Sequence, residues 1–140
     1  MCLSVLHLTF GHCFNQSIKN CMPSSVTHLT FGHDFNQPIK DCILSSVIHL
    51  KLGNNFNKSI KNCISSSVTH LTIVFYRGQY IKNTSITHLK IGPYFNRSLK
   101  NFIPISVKYL KFYSKFEKFK IEDVPPNVKI EFKHDQIIHK

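Results

Sequence analysis

The chain has 140 residues and a formal net charge of +11, a length typical of one domain. Its hydrophobic content of 42%, with 12 Phe, can fill a narrow core. No apolar run approaches the length of a membrane span, and five Cys is an odd number that does not make a disulfide framework. Residues 1–116 contain 13 Lys or Arg and two acids, so the net charge belongs to this part.

The first residues, MCLSVLHLTFGHCF, have neither a basic leader nor a clean apolar core, so no signal peptide is predicted. Together with the odd cysteine count, this predicts a reducing compartment, the cytoplasm. Cys21, Cys42 and Cys63 recur at one repeat position, and Phe102 takes that position later. A position that accepts Cys or Phe is predicted to face the core, so these three thiols are expected to be free and buried.

One unit of about 21 residues recurs along the chain. A fixed period in the low twenties is typical of a solenoid in which each copy rests on its neighbours. Positions 3 and 5 of the unit are apolar and alternate with polar positions 2 and 4. Each copy therefore predicts one short strand, and successive strands should pair in parallel about 4.8 Å apart. With the first valine as position 0, the copies start at Val5, Val26, Val47, Val68, Ile86 and Val107.

The return half of each copy, positions 9 to 20, is predicted to be extended and irregular. Pro38 lies inside it at position 12, and Pro23 and Pro104 lie at position 18; proline breaks α-helices. Glycine at position 6 is predicted to turn the chain sharply out of the strand. Asparagine at position 10 is predicted to be a buried structural ladder that bonds the adjoining copy. This ladder comprises Asn15, Asn36, Asn57 and Asn96.

Later copies depart from the pattern. In the fourth copy Val74 replaces the glycine and three residues are missing before Ile86, which predicts a tighter loop in which Phe75 or Tyr80 replaces the lost Phe of position 9. After a Pro pair, the sequence VKIEFK alternates with period 2 and is predicted to be one last strand. The sequence therefore predicts a solenoid over residues 1–127 and a C-terminal capping strand and tail over residues 128–140.

The unit carries a recognisable motif. In the second copy it runs V-T-H-L-T-F-G-x-x-F-N-Q-P-I and ends in Phe35-Asn36-Gln37-Pro38-Ile39. This resembles the FNIP repeat, named for F-N-x-P and abundant in social amoebae and in giant viruses that infect amoebae. The resemblance covers nearly the whole chain and implies a leucine-rich-repeat-like solenoid used for protein interaction.

The same resemblance bears on what accompanies the repeats. Giant-virus members commonly carry an N-terminal F-box, which resembles an adaptor to a ubiquitin ligase. Four residues precede Val5, so the sequence is expected to be the repeat part alone or a shortened copy of a longer protein.

Two residue columns are candidate interaction surfaces. Histidine at position 2 is predicted to form a solvent-facing column opposite the core. A straight line of imidazoles does not supply the tetrahedron that zinc requires, so no metal site is predicted there. With Lys at position 4, this column gives a candidate protein-binding face: His28, His49, Lys51, His70, His88 and Lys90. Position 14 gives a basic stripe: Lys19, Lys40, Lys61, Lys82 and Lys100.

These patterns predict a cytoplasmic, non-enzymatic interaction module without cofactor or metal, because no nucleophile–base set or phosphate-binding loop is visible. The predicted partner is a protein, a host protein if the chain is viral. Two alternatives stay open, a basic solenoid that binds nucleic acid through the stripe and a vestigial repeat paralogue. No membrane contact is expected. The oligomeric state is open, since the edge of the first strand can self-associate.

Overall fold

A computed structural model describes residues 4–74, 81, 85–95, 98–113 and 120–133. It contains a single seven-stranded sheet in sequence order, and every neighbouring pair of strands is parallel. The predicted mostly-β, leucine-rich-repeat-like solenoid is thereby confirmed. The strands are β1 (His7–Thr9), β2 (His28–Thr30), β3 (His49–Lys51), β4 (His70–Ile73), β5 (His88–Ile91), β6 (Tyr109–Phe112) and β7 (Lys129–Phe132).

The register of the sheet matches the repeat. His7 pairs with His28, and Leu29 pairs with Leu50, so each position of one copy lies beside the same position of the next. The three-residue deletion in the fourth copy does not shift this register, since His70 pairs with His88. Side chains of one type that recur at one repeat position therefore form a continuous row across the sheet.

The core lies on one side of the sheet. Leu29 and Leu50 at position 3 are 1% and 2% exposed, and Phe35 and Phe56 at position 9 are fully buried. The Phe rings stack from copy to copy with centroids about 6 Å apart. Val5 is the exception, at 40% exposure, because in the described residues β1 has a neighbour on one side only.

The return half of the copies is extended, as predicted. Among the described residues there is no α-helix, and the sole helical segment is a 3₁₀ turn at Ile121–Asp123. The predicted tight loop of the fourth copy, including Phe75 and Tyr80, lies outside the described residues, although Ile81 beside it is buried. Strand β7 continues the same parallel sheet; the division into a solenoid and a separate cap stays a prediction.

The glycines act differently from the prediction. None of the described glycines has a positive φ, so they do not turn the chain through a conformation that only glycine favours. A Cβ on Gly53 would instead overlap the carbonyl oxygen of Gly32, and one on Gly32 would overlap that of Gly11. Glycine is needed at Gly32 and Gly53 because the first three turns of the solenoid approach each other backbone to backbone there.

The sharp turn lies at position 15, which sequence reasoning did not single out. Asn20, Asp41, Asn62 and Asn101 all have φ between 57° and 60°. The backbone N–H of the following residue donates to the carbonyl of position 13, as from Cys63 to Ile60 at 3.1 Å. Asn and Asp tolerate this left-handed conformation better than other L-residues.

Candidate interaction surface

The sheet face opposite the core carries a stacked histidine column. The rings of His7, His28, His49, His70 and His88 follow one another with centroids 4.0 to 4.1 Å apart. Tyr109 continues the stack at 4.5 Å from His88. The predicted column therefore exists as a geometric feature. Its four central members are half-buried by their neighbours rather than solvent-facing as predicted.

Threonines at position 1 orient three of these imidazoles. The hydroxyl oxygens of Thr27, Thr69 and Thr87 lie 2.8 to 2.9 Å from Nδ1 of the histidine that follows each of them. The Thr27 hydroxyl also donates to the carbonyl of Leu6 at 3.1 Å. Its oxygen must then accept the proton of His28 Nδ1, which leaves Nε2 of that ring as a hydrogen-bond acceptor.

Three histidines of the column have a lowered pKa. Burial lowers the pKa of His28 and His49 below the ordinary value, and a neighbouring imidazole is the second cause for each. For His70 the pKa falls to about 4, first through burial and then through His49, His88 and Lys90. The imidazoles of His28, His49 and His70 therefore favour the uncharged form at neutral pH and act as polar groups.

A second row runs parallel to the histidines at position 4, two residues or about 7 Å farther along the strands. It includes exposed Lys51 and Lys90, then Lys111, and ends in Glu131, whose Oε1 accepts a hydrogen bond from Lys111 Nζ at 2.7 Å. A groove of about 160 Å³ lies along the two rows from β2 to β5, and another of about 300 Å³ continues from β5 to β7. His88 and Lys90 line both, so the groove is continuous along the sheet face.

The other predicted rows lie elsewhere. Lys19, Lys40, Lys61 and Lys100 of the basic stripe are all exposed. The asparagine row makes contacts between copies: Asn15 Oδ1 accepts the backbone N–H of Asn36, and Asn36 Oδ1 accepts that of Asn57, each at 2.9 Å. These asparagines are half-buried or exposed. The prediction that the ladder is buried is therefore wrong, although its contacts between copies are present. Lys82 and Asn96 lie outside the described residues.

The family model for the FNIP repeat matches residues 4–34, 14–55, 35–75 and 84–115, which together make up more than half of the chain. The chain belongs to the FNIP-repeat family. No curated protein matches it.

None of the helices in the described residues is long and apolar enough to cross a membrane.

A solved structure shares the fold of this FNIP-repeat chain. It is the crystal structure of CroV588, from the giant virus CroV, described as a novel circular LRR protein. The two are 37% identical with a TM-score of 0.76, and the match covers 92% of this chain. It covers 20% of the CroV588 chain, so the present chain spans about a fifth of the length of that protein.

The thiols of the FNIP copies are free but unequally buried. Cys42 is 4% exposed, as predicted. Cys63 is half-buried and Cys21 is exposed, so the prediction of three buried thiols is wrong for Cys21. Cys21 belongs to the first copy, and in the described residues no turn precedes that copy to cover position 16 from the other side.

A cluster in the loops after β1 and β2 was missed from the sequence. His12 and His33 occupy position 7, and Cys13 and Asp34 occupy position 8, directly after the position-6 glycine. The His12 and His33 rings stack at 4.6 Å. The sequence does contain the signal for this cluster, because the same repeat positions of adjacent copies lie side by side. Read by itself, Cys13 is only a cysteine outside the column at position 16.

Proposed function

We propose that this FNIP-repeat solenoid is a non-enzymatic module that binds an extended, acidic segment of a protein partner along its sheet face. The observation that supports this most directly is the continuous groove, with histidines along one wall and the position-4 row, which includes Lys51 and Lys90, along the other. Such a groove follows the solenoid axis, so a linear ligand meets one copy about every 4.8 Å.

The two walls complement different parts of an extended peptide. The neutral imidazoles offer acceptors, such as Nε2 of His28, which can bond backbone N–H groups of the ligand. The ammonium groups of Lys51 and Lys90 are exposed and attract carboxylates. Lysine presents a compact point charge with rotatable donors, so the second wall favours acidic side chains without fixing their exact spacing.

Fluorescence anisotropy with a labelled peptide of alternating Glu and Val tests the proposal. The wild-type chain should bind it and should not bind the matching Lys and Val peptide. The double variant Lys51→Glu and Lys90→Glu should lose the acidic peptide. Its matched control, Lys19→Glu and Lys40→Glu on the basic stripe, makes the same charge change and should keep most of the affinity. Equal losses in both variants would contradict the sheet face as the site.

A finer form of the proposal places the module in the cytoplasm as the substrate-recognition part of a ubiquitin-ligase-type adaptor, with a host protein as partner if the chain is viral. The resemblance to giant-virus members supports the adaptor role, and the likeness to CroV588 supports only the viral setting. Capture from amoeba lysate with wild type and with the Lys51→Glu, Lys90→Glu variant, followed by mass spectrometry, tests it. A partner that only the wild type retains, and that becomes ubiquitinated when the module is linked to an F-box, is the expected result.

A second candidate is nucleic-acid binding on the basic stripe. The observation that favours it is the exposure of Lys19, Lys40, Lys61 and Lys100 on one repeat position. Binding to mixed-sequence DNA should then weaken linearly in log affinity against log salt, and Lys19→Glu with Lys40→Glu should abolish it. Salt-insensitive or absent DNA binding leaves the sheet face as the better-supported surface.

A further inference from the structure

The loops after β1 and β2 bring three kinds of metal-ligand atom to one place. His12 Nδ1 lies 3.7 Å from Cys13 Sγ and 3.9 Å from Asp34 Oδ2, and all three ligand atoms lie within 4.8 Å of one another. In a tetrahedral zinc site with bonds of about 2.0 to 2.3 Å, ligand atoms are about 3.3 to 3.6 Å apart. Side-chain shifts of about 1 Å or less would therefore complete the arrangement.

The carboxylate of Asp34 is already oriented for this role. Its Oδ1 accepts hydrogen bonds from His33 Nδ1 at 2.6 Å and from Asn55 Nδ2 at 3.3 Å. These bonds leave Oδ2 directed at His12. Donation of these hydrogen bonds to Oδ1 favours the ionised carboxylate, the form that a metal ligand takes.

The backbone fixes the two loops against each other. The N–H of Asp34 donates to the carbonyl of His12, and the N–H of Asn55 donates to that of His33, both at 2.9 Å. The stacked ring of His33 is within 3° of parallel to that of His12, which restrains the ligand imidazole. The repeat therefore sets the spacing of the ligands before any ion arrives.

We propose that His12, Cys13 and Asp34 form a zinc site that joins the first two copies of the solenoid. A thiolate, an imidazole and a carboxylate together suit Zn²⁺, whereas Mg²⁺ and Ca²⁺ prefer oxygen ligands alone. His12 binds through Nδ1 and keeps its proton on Nε2, and the Cys13 thiol releases its proton to solvent as the Zn–S bond forms. Three protein ligands leave a fourth position for water or for an atom of a bound partner.

The site is confined to one place in the repeat. At the same two positions the third copy has Asn54 and Asn55, and the fifth has Pro93 and Tyr94; none of these is a strong zinc ligand. The proposal also differs from a site on the histidine column, whose parallel, stacked rings do not converge on a tetrahedral centre. It is independent of the proposed peptide groove, which lies on the strands.

Cobalt serves as the spectroscopic probe, titrated into the 140-residue chain under a non-thiol reductant. One Co²⁺ per monomer is expected, with thiolate-to-cobalt charge-transfer absorption and ligand-field bands of tetrahedral intensity, and Zn²⁺ should displace it. Cys13→Ser should remove the charge-transfer band, and Asp34→Asn should weaken binding. Asn55→Ala, which removes a hydrogen bond to the ligand carboxylate, should weaken it by about tenfold. All of these side chains are at least partly exposed, so circular dichroism should show folded variants.

Cys21→Ser is the matched control, because it removes an exposed thiol that lies outside the cluster, and it should keep the full signal. His49→Gln on the histidine column should keep it as well. The proposal is overturned if the wild type binds no Co²⁺ with thiolate character, if Cys13→Ser retains the band, or if His49→Gln abolishes it. One ion per two chains, with dimers in sedimentation, would likewise overturn a site within a single chain.

Discussion

The imidazole of His49 lies 4.0 Å from that of His70, measured between ring centroids, with the planes 24° apart. The two residues are 21 positions apart in sequence and directly paired in the sheet. A proton added to either ring would be desolvated and would face its neighbour at van der Waals distance. Because the repeat places these two rings in contact, the charge of one imidazole affects the protonation of the other.

Stability should fall as the pH is lowered through the range where unfolded histidines titrate. Burial lowers the folded pKa of His28 and His49, and that of His70 to about 4, whereas an unfolded histidine titrates near 6.5. Below about pH 6.5 the unfolded chain binds more protons, so stability is full above this value and is lost as pH falls toward 4. After allowance for partial solvent exposure, we expect a loss of roughly 2 kcal/mol between pH 7.5 and 5.

Urea melts at several pH values measure this loss, and imidazole titration by NMR measures the pKa values. His70→Gln should flatten the pH dependence more than His7→Gln, because His7 is exposed at the end of the row. Flat stability with all imidazoles titrating near the reference value would contradict the half-buried column.

The column was predictable because a strict 21-residue period fixes which side chains become neighbours in a parallel sheet. The cause of the pKa shifts was not. A row of imidazoles points first to repulsion between neighbouring charges, whereas burial is the larger cause of the lowered pKa of His28, His49 and His70. Burial depends on how closely adjacent rows cover each ring, which a pattern of polar and apolar positions does not report.

Gly53→Ala should destabilise the domain strongly, since the added methyl would meet the backbone carbonyl of Gly32. Backbone cannot move aside as a flexible side chain can, so a cost of about 3 kcal/mol or more is expected. Gly11→Ala is the matched control, because a Cβ there meets nothing within 4 Å. It should be neutral or slightly stabilising, by up to about 1 kcal/mol. Denaturant melts giving the two variants equal stability would argue against close approach at position 6.

The left-handed turn at position 15 shows the limit of reading the repeat by hydrophobicity. The first five copies have Asn or Asp in that column, which is as regular a turn signal as the glycines of position 6. Glycine and Asn or Asp can all occupy sharp turns, and only the backbone angles show that position 15, and not position 6, has the left-handed conformation. The loop cluster of His12, Cys13 and Asp34 was missed for a similar reason, since it joins two different positions of two copies.

Asn62→Ala should cost about 1 kcal/mol, because Asn62 has a φ of 57°, which disfavours residues with a Cβ and no compensating local hydrogen bond. Asn62→Gly should be nearly neutral, since glycine adopts this conformation without steric cost. The neighbouring exposed Lys61 offers a control, and Lys61→Ala should change stability by less than about 0.5 kcal/mol. Thermal melts that rank Gly below Ala at position 62 would contradict a conformational origin.

The thiols should react at different rates in the native protein. Burial raises the pKa of Cys42 and Cys63 above the usual thiol value, and Cys42 is also covered at 4% exposure. Because the thiolate is the reactive form, Cys42 should label slowest and Cys63 next, while exposed Cys13 and Cys21 label fast. Peptide mapping after timed alkylation measures the order, and the same reaction in urea should equalise the rates. If Zn²⁺ protects Cys13 but leaves Cys21 unprotected, the same experiment also locates the metal. Native labelling of Cys42 as fast as Cys21 would show that position 16 of the second copy does not face the core.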